Sequence, residues 1–172
     1  MTGVNLRNFD ESTKQFSDVV LVVENQKFYI LKLYLASHSP YFEALFLRSF
    51  KESNQSEIPL NDVNAEDFQK FLELLHGESP IDDSTIEGIV HLSDMYDVKF
   101  AIRKCEQFLI KQSEKSLREK LQLAHRYRVN CLKHDCLSKI TSSEDIRSVM
   151  TSDMDPSVLA ELLHKSLTLN DN

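Results

Sequence analysis

The sequence predicts an α+β fold, a small sheet covered by helices and followed by a helical extension. Two observations carry that prediction. Short β-branched runs are confined to the first 60 residues, and from Asp83 onward the apolar residues recur almost wholly at helical spacing.

The elements follow in order. Asp18 to Val23 (DVVLVV) and Gln26 to Ile30 (QKFYI) read as two strands of a hairpin, separated by Glu24-Asn25. Asn25 accepts the positive φ that so tight a turn demands. LKLYLAS is a short helical piece. Ser39 is placed to cap the next helix, PYFEALFL, with Pro40 at its first position and Tyr41, Phe42, Leu45 and Phe46 as its apolar face. Residues 47–57 (LRSFKESNQSE) form a polar loop whose large apolar member is Phe50. Glu57 to Leu60 is a short strand, and Pro59 assigns it to a sheet edge. Asn64 caps a helix bearing Phe68, Phe71, Leu72 and Leu75, which Gly77 ends.

The later helices are read from their stripes. One carries Ile86, Ile89, Val90 and Tyr96; the next carries Val98, Ala101, Ile102, Cys105, Phe108 and Leu109. A third uses Leu117, Leu121, Ala124 and Tyr127, and a fourth Leu132, Cys136 and Ile140. After a polar break (TSSED) come a short piece, Ile146 to Met150, and a last helix opened by Asp155-Pro156, with Val158, Leu159, Leu162 and Leu163. Residues 1–15 and 168–172 are expected to be flexible.

Composition narrows the function classes. The 172 residues carry a net charge of −7, unevenly spread. Residues 1–100 hold 8 Lys/Arg against 17 Asp/Glu, whereas residues 101–140 hold 10 against 4. The acidic part repels phosphate backbones, and the basic stretch is spaced like the wet faces of amphipathic helices, so no nucleic-acid partner is expected. No apolar run approaches the ~20 residues of a membrane span, and the polar N-terminus is unlike a signal peptide. Three cysteines cannot complete a disulfide framework. An intracellular setting, cytoplasm or nucleus, is the expectation.

The search for chemistry returns no catalytic residue. With glycine only at positions 3, 77 and 88, there is no phosphate-cradling loop. GxSxG and HExxH are absent too. Cys131, His134 and Cys136, with His125 upstream, come nearest to a metal set. On a helix, however, positions i and i+5 diverge by about 140°, so the two thiols do not converge on one ion. Cys105 lies on an apolar stripe, where burial leaves a thiol inert. Asp82-Asp83 precedes an apolar helix and reads as a cap. No enzyme, cofactor or metal is predicted.

The segment FSDVVLVVENQKFYILKLYLASHSPYFEALF resembles the opening of a BTB (POZ) domain. The matching positions are Phe16-Ser17-Asp18-Val19, Phe28, Lys32, Leu35-Ala36, Ser39 and Phe42. EIPL, AEDFQKFLELLHG and the helix pair ending RKCEQFLI extend the likeness across residues 16–112, with 113–167 resembling the helical extension that follows such domains in adaptors. The pattern is most similar to the MATH-BTB and stand-alone BTB group. Leu31 stands where that family usually has His before the basic residue.

The resemblance implies a protein-interaction module and a substrate-recruiting adaptor of a cullin three RING ubiquitin ligase. Its alternative is a dimerising scaffold with no ligase role. It implies that Phe50-Lys51-Glu52 is the hydrophobic-x-Glu element that enters the cullin. A lone Phe on a polar loop suits an interface anchor, though the same ring folded back on its own helix would bury about 1.5–3 kcal/mol of side chain. It also places Asp18 and Lys32 together in a charged pocket, either as a partner groove or as a structural ion pair. The implied partners are a cullin scaffold, a second BTB chain in a homo- or heterodimer, and a substrate protein.

Overall fold

The computed structural model describes residues 4–49, 57–151 and 154–170, and the chain divides into two compact units, Met1–Cys105 and Glu106–Asn172. The boundary falls inside a helix.

The first unit is built on a three-stranded sheet of order β2-β1-β3. β1 (Val19–Val23) pairs antiparallel with β2 (Gln26–Ile30), with Leu21 opposite Phe28. The turn between them places Glu24 at φ 47° and Asn25 at φ 66°, a double left-handed bend that amide and acidic residues tolerate. β3 (Glu57–Pro59) runs parallel to β1 and forms an edge, where the missing N–H of Pro59 costs no ladder bond.

α1 (Lys32–His38) and α2 (Pro40–Ser49) meet at Ser39. That residue is 1% exposed, accepts a bond from the Phe42 N–H at 3.2 Å and donates from Oγ to the Tyr96 carbonyl at 2.6 Å. One hydroxyl therefore caps α2 and satisfies a carbonyl at the end of α4 (Ile86–Met95). α2 runs two residues beyond the expected PYFEALFL.

α3 (Ala65–Leu75) is capped by Asn64 and ends at Gly77, which takes φ 89°. Gly88 lets α3 and α4 approach closely: a Cβ there would stand 2.1 Å from Asp67 Oδ1. Asp82 accepts N–H bonds from Ser84 and Thr85, as expected of a residue opening α4; the Ser84 hydroxyl bonded to its carboxylate holds its pKa below the usual range. The core is aromatic. Phe28 meets Phe68 edge-on with ring centroids 5.0 Å apart, and Phe42 meets Tyr96 at 4.6 Å.

The N-terminal segment differs from expectation. Among residues 1–15, the described part is fastened to the unit: Phe9 is buried, its carbonyl accepts from the Tyr29 N–H at 2.8 Å, and a 3₁₀ segment follows at Glu11–Phe16, capped by Asp10.

α5 (Lys99–Lys111) leads into the second unit, which contains α6 (Leu117–Arg126), α7 (Asn130–Lys139), α8 (Ser143–Val149) and α9 (Pro156–Asn170). Ser116 with Glu119, and Ser142 with Asp145, form capping boxes. The TSSED stretch expected as a break is thus the start of α8, and α9 continues into the tail expected to fray. Leu121, Leu132, Cys136, Ile140, Val149 and Leu162 make up much of a mainly aliphatic core. Among the described residues, no helix is long and apolar enough to cross a membrane.

Candidate protein interface

The cullin-binding element inferred from the sequence, Phe50-Lys51-Glu52, lies outside the described residues. What flanks it is described. α2 buries Phe42 (0% exposed) and Phe46 (4%) at i, i+4 spacing, and leaves Tyr41 (44%) and Leu47 (62%) at the surface. Tyr41 nevertheless rests against Phe42 and Tyr96, with centroids 5.4 and 5.0 Å away. An anchored ring with one wet side is a common form of interface aromatic.

Asp18 and Lys32 do come together, through the main chain. Asp18 Oδ1 accepts the Lys32 N–H at 2.7 Å, so the carboxylate caps α1 from outside the helix. Leu31, at the N-cap position, has no side chain able to do this. Asp18 is exposed and Lys32 half-buried. Of the residues bracketing this bond in sequence, Phe16, Leu31 and Leu33 are all at least half exposed.

A polar cluster that the sequence did not reveal lies on α3. Gln69, Lys70 and Glu73, polar residues off its apolar stripe, are all buried. Glu73 pairs with Lys70 at 3.1 Å and accepts from Gln69 Nε2 at 2.8 Å and the Leu6 N–H at 2.8 Å. Lys70 donates to the Val4 carbonyl and Gln69 to the Arg7 carbonyl. The cluster thus holds an irregular stretch of backbone, residues 4–7, by its amides and carbonyls. The i, i+1, i+4 spacing of the trio was its only sequence signal.

Beside it, His76 stacks on Tyr34 at 4.3 Å and its Nδ1 lies 2.8 Å from the Leu72 carbonyl. Burial pushes its pKa below the usual histidine value, against the opposing pull of that carbonyl.

The cysteines divide as their stripes suggest. Burial pushes the Cys105 thiol up to about 12 and the Cys136 thiol up to about 11, leaving both protonated at neutral pH. Cys131 is exposed. No cluster of three or more His, Cys, Asp or Glu suited to a metal ion occurs among the described residues.

What this geometry offers is surfaces and anchors. Comparison with known proteins gives the family: the BTB/POZ domain profile matches residues 7–113. The chain belongs to the BTB/POZ family. Over 145 residues it is 57% identical to "BTB and MATH domain-containing protein 15" of Caenorhabditis elegans, covering 83% of this chain and 53% of that one. It is 44% identical over 165 residues to "BTB and MATH domain-containing protein 45" of the same organism, covering 94% of this chain and 35% of that one. With human "Kelch repeat and BTB domain-containing protein 2" it shares 33% identity over 98 residues, 56% of this chain and 16% of the relative. The chain thus spans about half or less of the length of these relatives. The match from residue 7 agrees with an N-terminal segment that is part of the BTB unit.

Proposed function

We propose that this BTB/POZ protein is an adaptor that brings a substrate protein to a cullin three RING ubiquitin ligase inside the cell. Kinship with BTB and MATH domain-containing proteins supports the reading. The observation that carries it is the hydrophobic-x-Glu element Phe50-Lys51-Glu52, which begins immediately after α2 ends at Ser49. The exposed Tyr41 and Leu47 of the same helix would widen the contact. The role is one of binding, with no chemical step assigned to any side chain.

A second reading, a homo- or heterodimerising scaffold, is favoured by the exposed Phe16, Leu31 and Leu33. The two readings are compatible if that group faces a second BTB chain and the α2 side faces the cullin.

Pull-down of the full chain with the cullin three N-terminal region tests the adaptor role. Wild type is expected to be retained at micromolar concentration, and Phe50→Ala to weaken retention about thirtyfold, the loss of one interface anchor worth about 2 kcal/mol. Absence of wild-type retention would remove the adaptor reading and leave the scaffold.

A further inference from the structure

The second unit carries a surface that the BTB reading does not use. Between α6 and the start of α9 lies a pit of about 180 Å³, with Leu121, Met154 and Val158 as its apolar side and Gln122 and Asp155 among its polar lining. Leu121 and Val158 are almost fully buried, so this apolar floor is fixed by the core beneath it. His125 and Arg126 line the pit and also line an adjoining cavity of about 420 Å³, which Arg128 and Lys133 share.

Among the described residues, the charges around this double cavity do not balance. Its acids are already engaged: Asp155 accepts from the Ser157 N–H and hydroxyl and faces His125 Nε2 at 3.1 Å, while Glu161 takes Lys133 at 2.6 Å. The side chains of Arg126 and Arg128 have no ion-pair or hydrogen-bond partner among the described residues, and both residues are exposed. The Arg126 guanidinium therefore borders both the pit and the adjoining cavity, and that of Arg128 borders the cavity, each presenting a fork of donors.

Arg128 is also held in a costly conformation. It takes φ 53° just past the end of α6, a position that glycine or asparagine fills more cheaply. Among the described residues, the other left-handed ones that are not glycine are Glu24, Asn25, Asp62 and Asp97, all acids or amides. Arg128 has neither a short polar side chain to ease that backbone nor a local contact that uses its charge.

We propose that this α6–α7–α9 face is a docking site for an acidic peptide segment, with its carboxylates on Arg126 and Arg128 and one apolar side chain in the pit. The pit suits a leucine-sized group, since a dry cavity of about 150 Å³ accommodates benzene. A nucleic acid is disfavoured on two grounds. The whole chain carries −7, which repels a long polyanion, and the apolar side of the pit, Leu121, Met154 and Val158, offers a phosphate no partner. A short acidic segment presents charge only where the two arginines lie. The proposal is independent of the ligase role, because its test contains no cullin.

The test is fluorescence anisotropy of the full chain with a fluorescein-labelled peptide of six glutamates around one central leucine, at low and high salt. Wild type is expected to bind with a Kd below about 200 µM at low salt, and more weakly at high salt. Arg126→Ala/Arg128→Ala is expected to weaken binding at least about tenfold, and replacing the peptide's leucine with serine about threefold. Arg128→Gly separates binding from folding: it relieves the backbone, so the melting temperature holds or rises while binding weakens about fivefold. A charge-matched control, Lys14→Ala/Lys99→Ala, is expected to bind as wild type does. The proposal is overturned by no binding below about 1 mM, by equal losses in the control, or by a single-stranded RNA heptamer binding more tightly than the peptide.

Discussion

The two compact units of this chain are stabilised in different ways. Residues 4–105 are built on rings, with Phe28, Phe42, Phe68, Phe71 and Tyr96 all essentially buried, and they enclose an ion pair, Lys70–Glu73. Residues 106–170 pack aliphatic side chains, place their ion pairs at or near the surface, and fasten helix ends with serine caps. The first unit's key bonds join residues more than 60 apart in sequence, as between Leu6 and Glu73. The second unit's caps join residues three apart. A lost partner should therefore cost much where it strands a buried charge, and little where water takes its place.

The largest effect is expected at Glu73. Glu73→Ala strands the Lys70 ammonium and the Leu6 N–H in a buried site and should destabilise by about 3–5 kcal/mol in urea unfolding followed by circular dichroism. Ser142→Ala, which removes one side of the α8 capping box, should cost about 1 kcal/mol in the same measurement. Equal losses from the two substitutions would break the contrast between the units.

The smallest effect is a pH dependence centred on His76. Its pKa in the folded chain is lowered, so unfolding takes up a proton, and the stability it contributes is present above the unfolded value of about 6.5 and lost as pH falls below it. Arg7 and His38 nearby disfavour its charged form, whereas Glu78 and the Leu72 carbonyl favour it. Unfolding measured at pH 7 and pH 5 should show a loss in wild type that is smaller in His76→Gln. An identical loss in both would assign the acid sensitivity to other groups.

Local chemistry was legible in the sequence. The Asn25 turn, the Ser39-Pro40 junction, Asn64, Gly77 and the helical stripes all rest on neighbours within a few residues, and each appears where its residue types require. Long-range polar contacts were not legible. Nothing around Gln69, Lys70 or Glu73 in the sequence reveals that residues 4–7 cover them. Asp18 was legible as a neighbour of Lys32, but not as a cap on the Lys32 amide, because that depends on how the hairpin delivers it to α1. Phe50, Lys51 and Glu52 were found through family likeness alone, since a short polar loop has no periodicity to read.

The most direct test of the adaptor account is isothermal titration of the cullin three N-terminal region into the full wild-type chain and into Phe50→Ala. The account predicts saturable binding with one cullin per chain and a Kd in the micromolar range or tighter, weakened about thirtyfold in the variant. No heat of binding from wild type at tens of micromolar, with the protein folded, would contradict it.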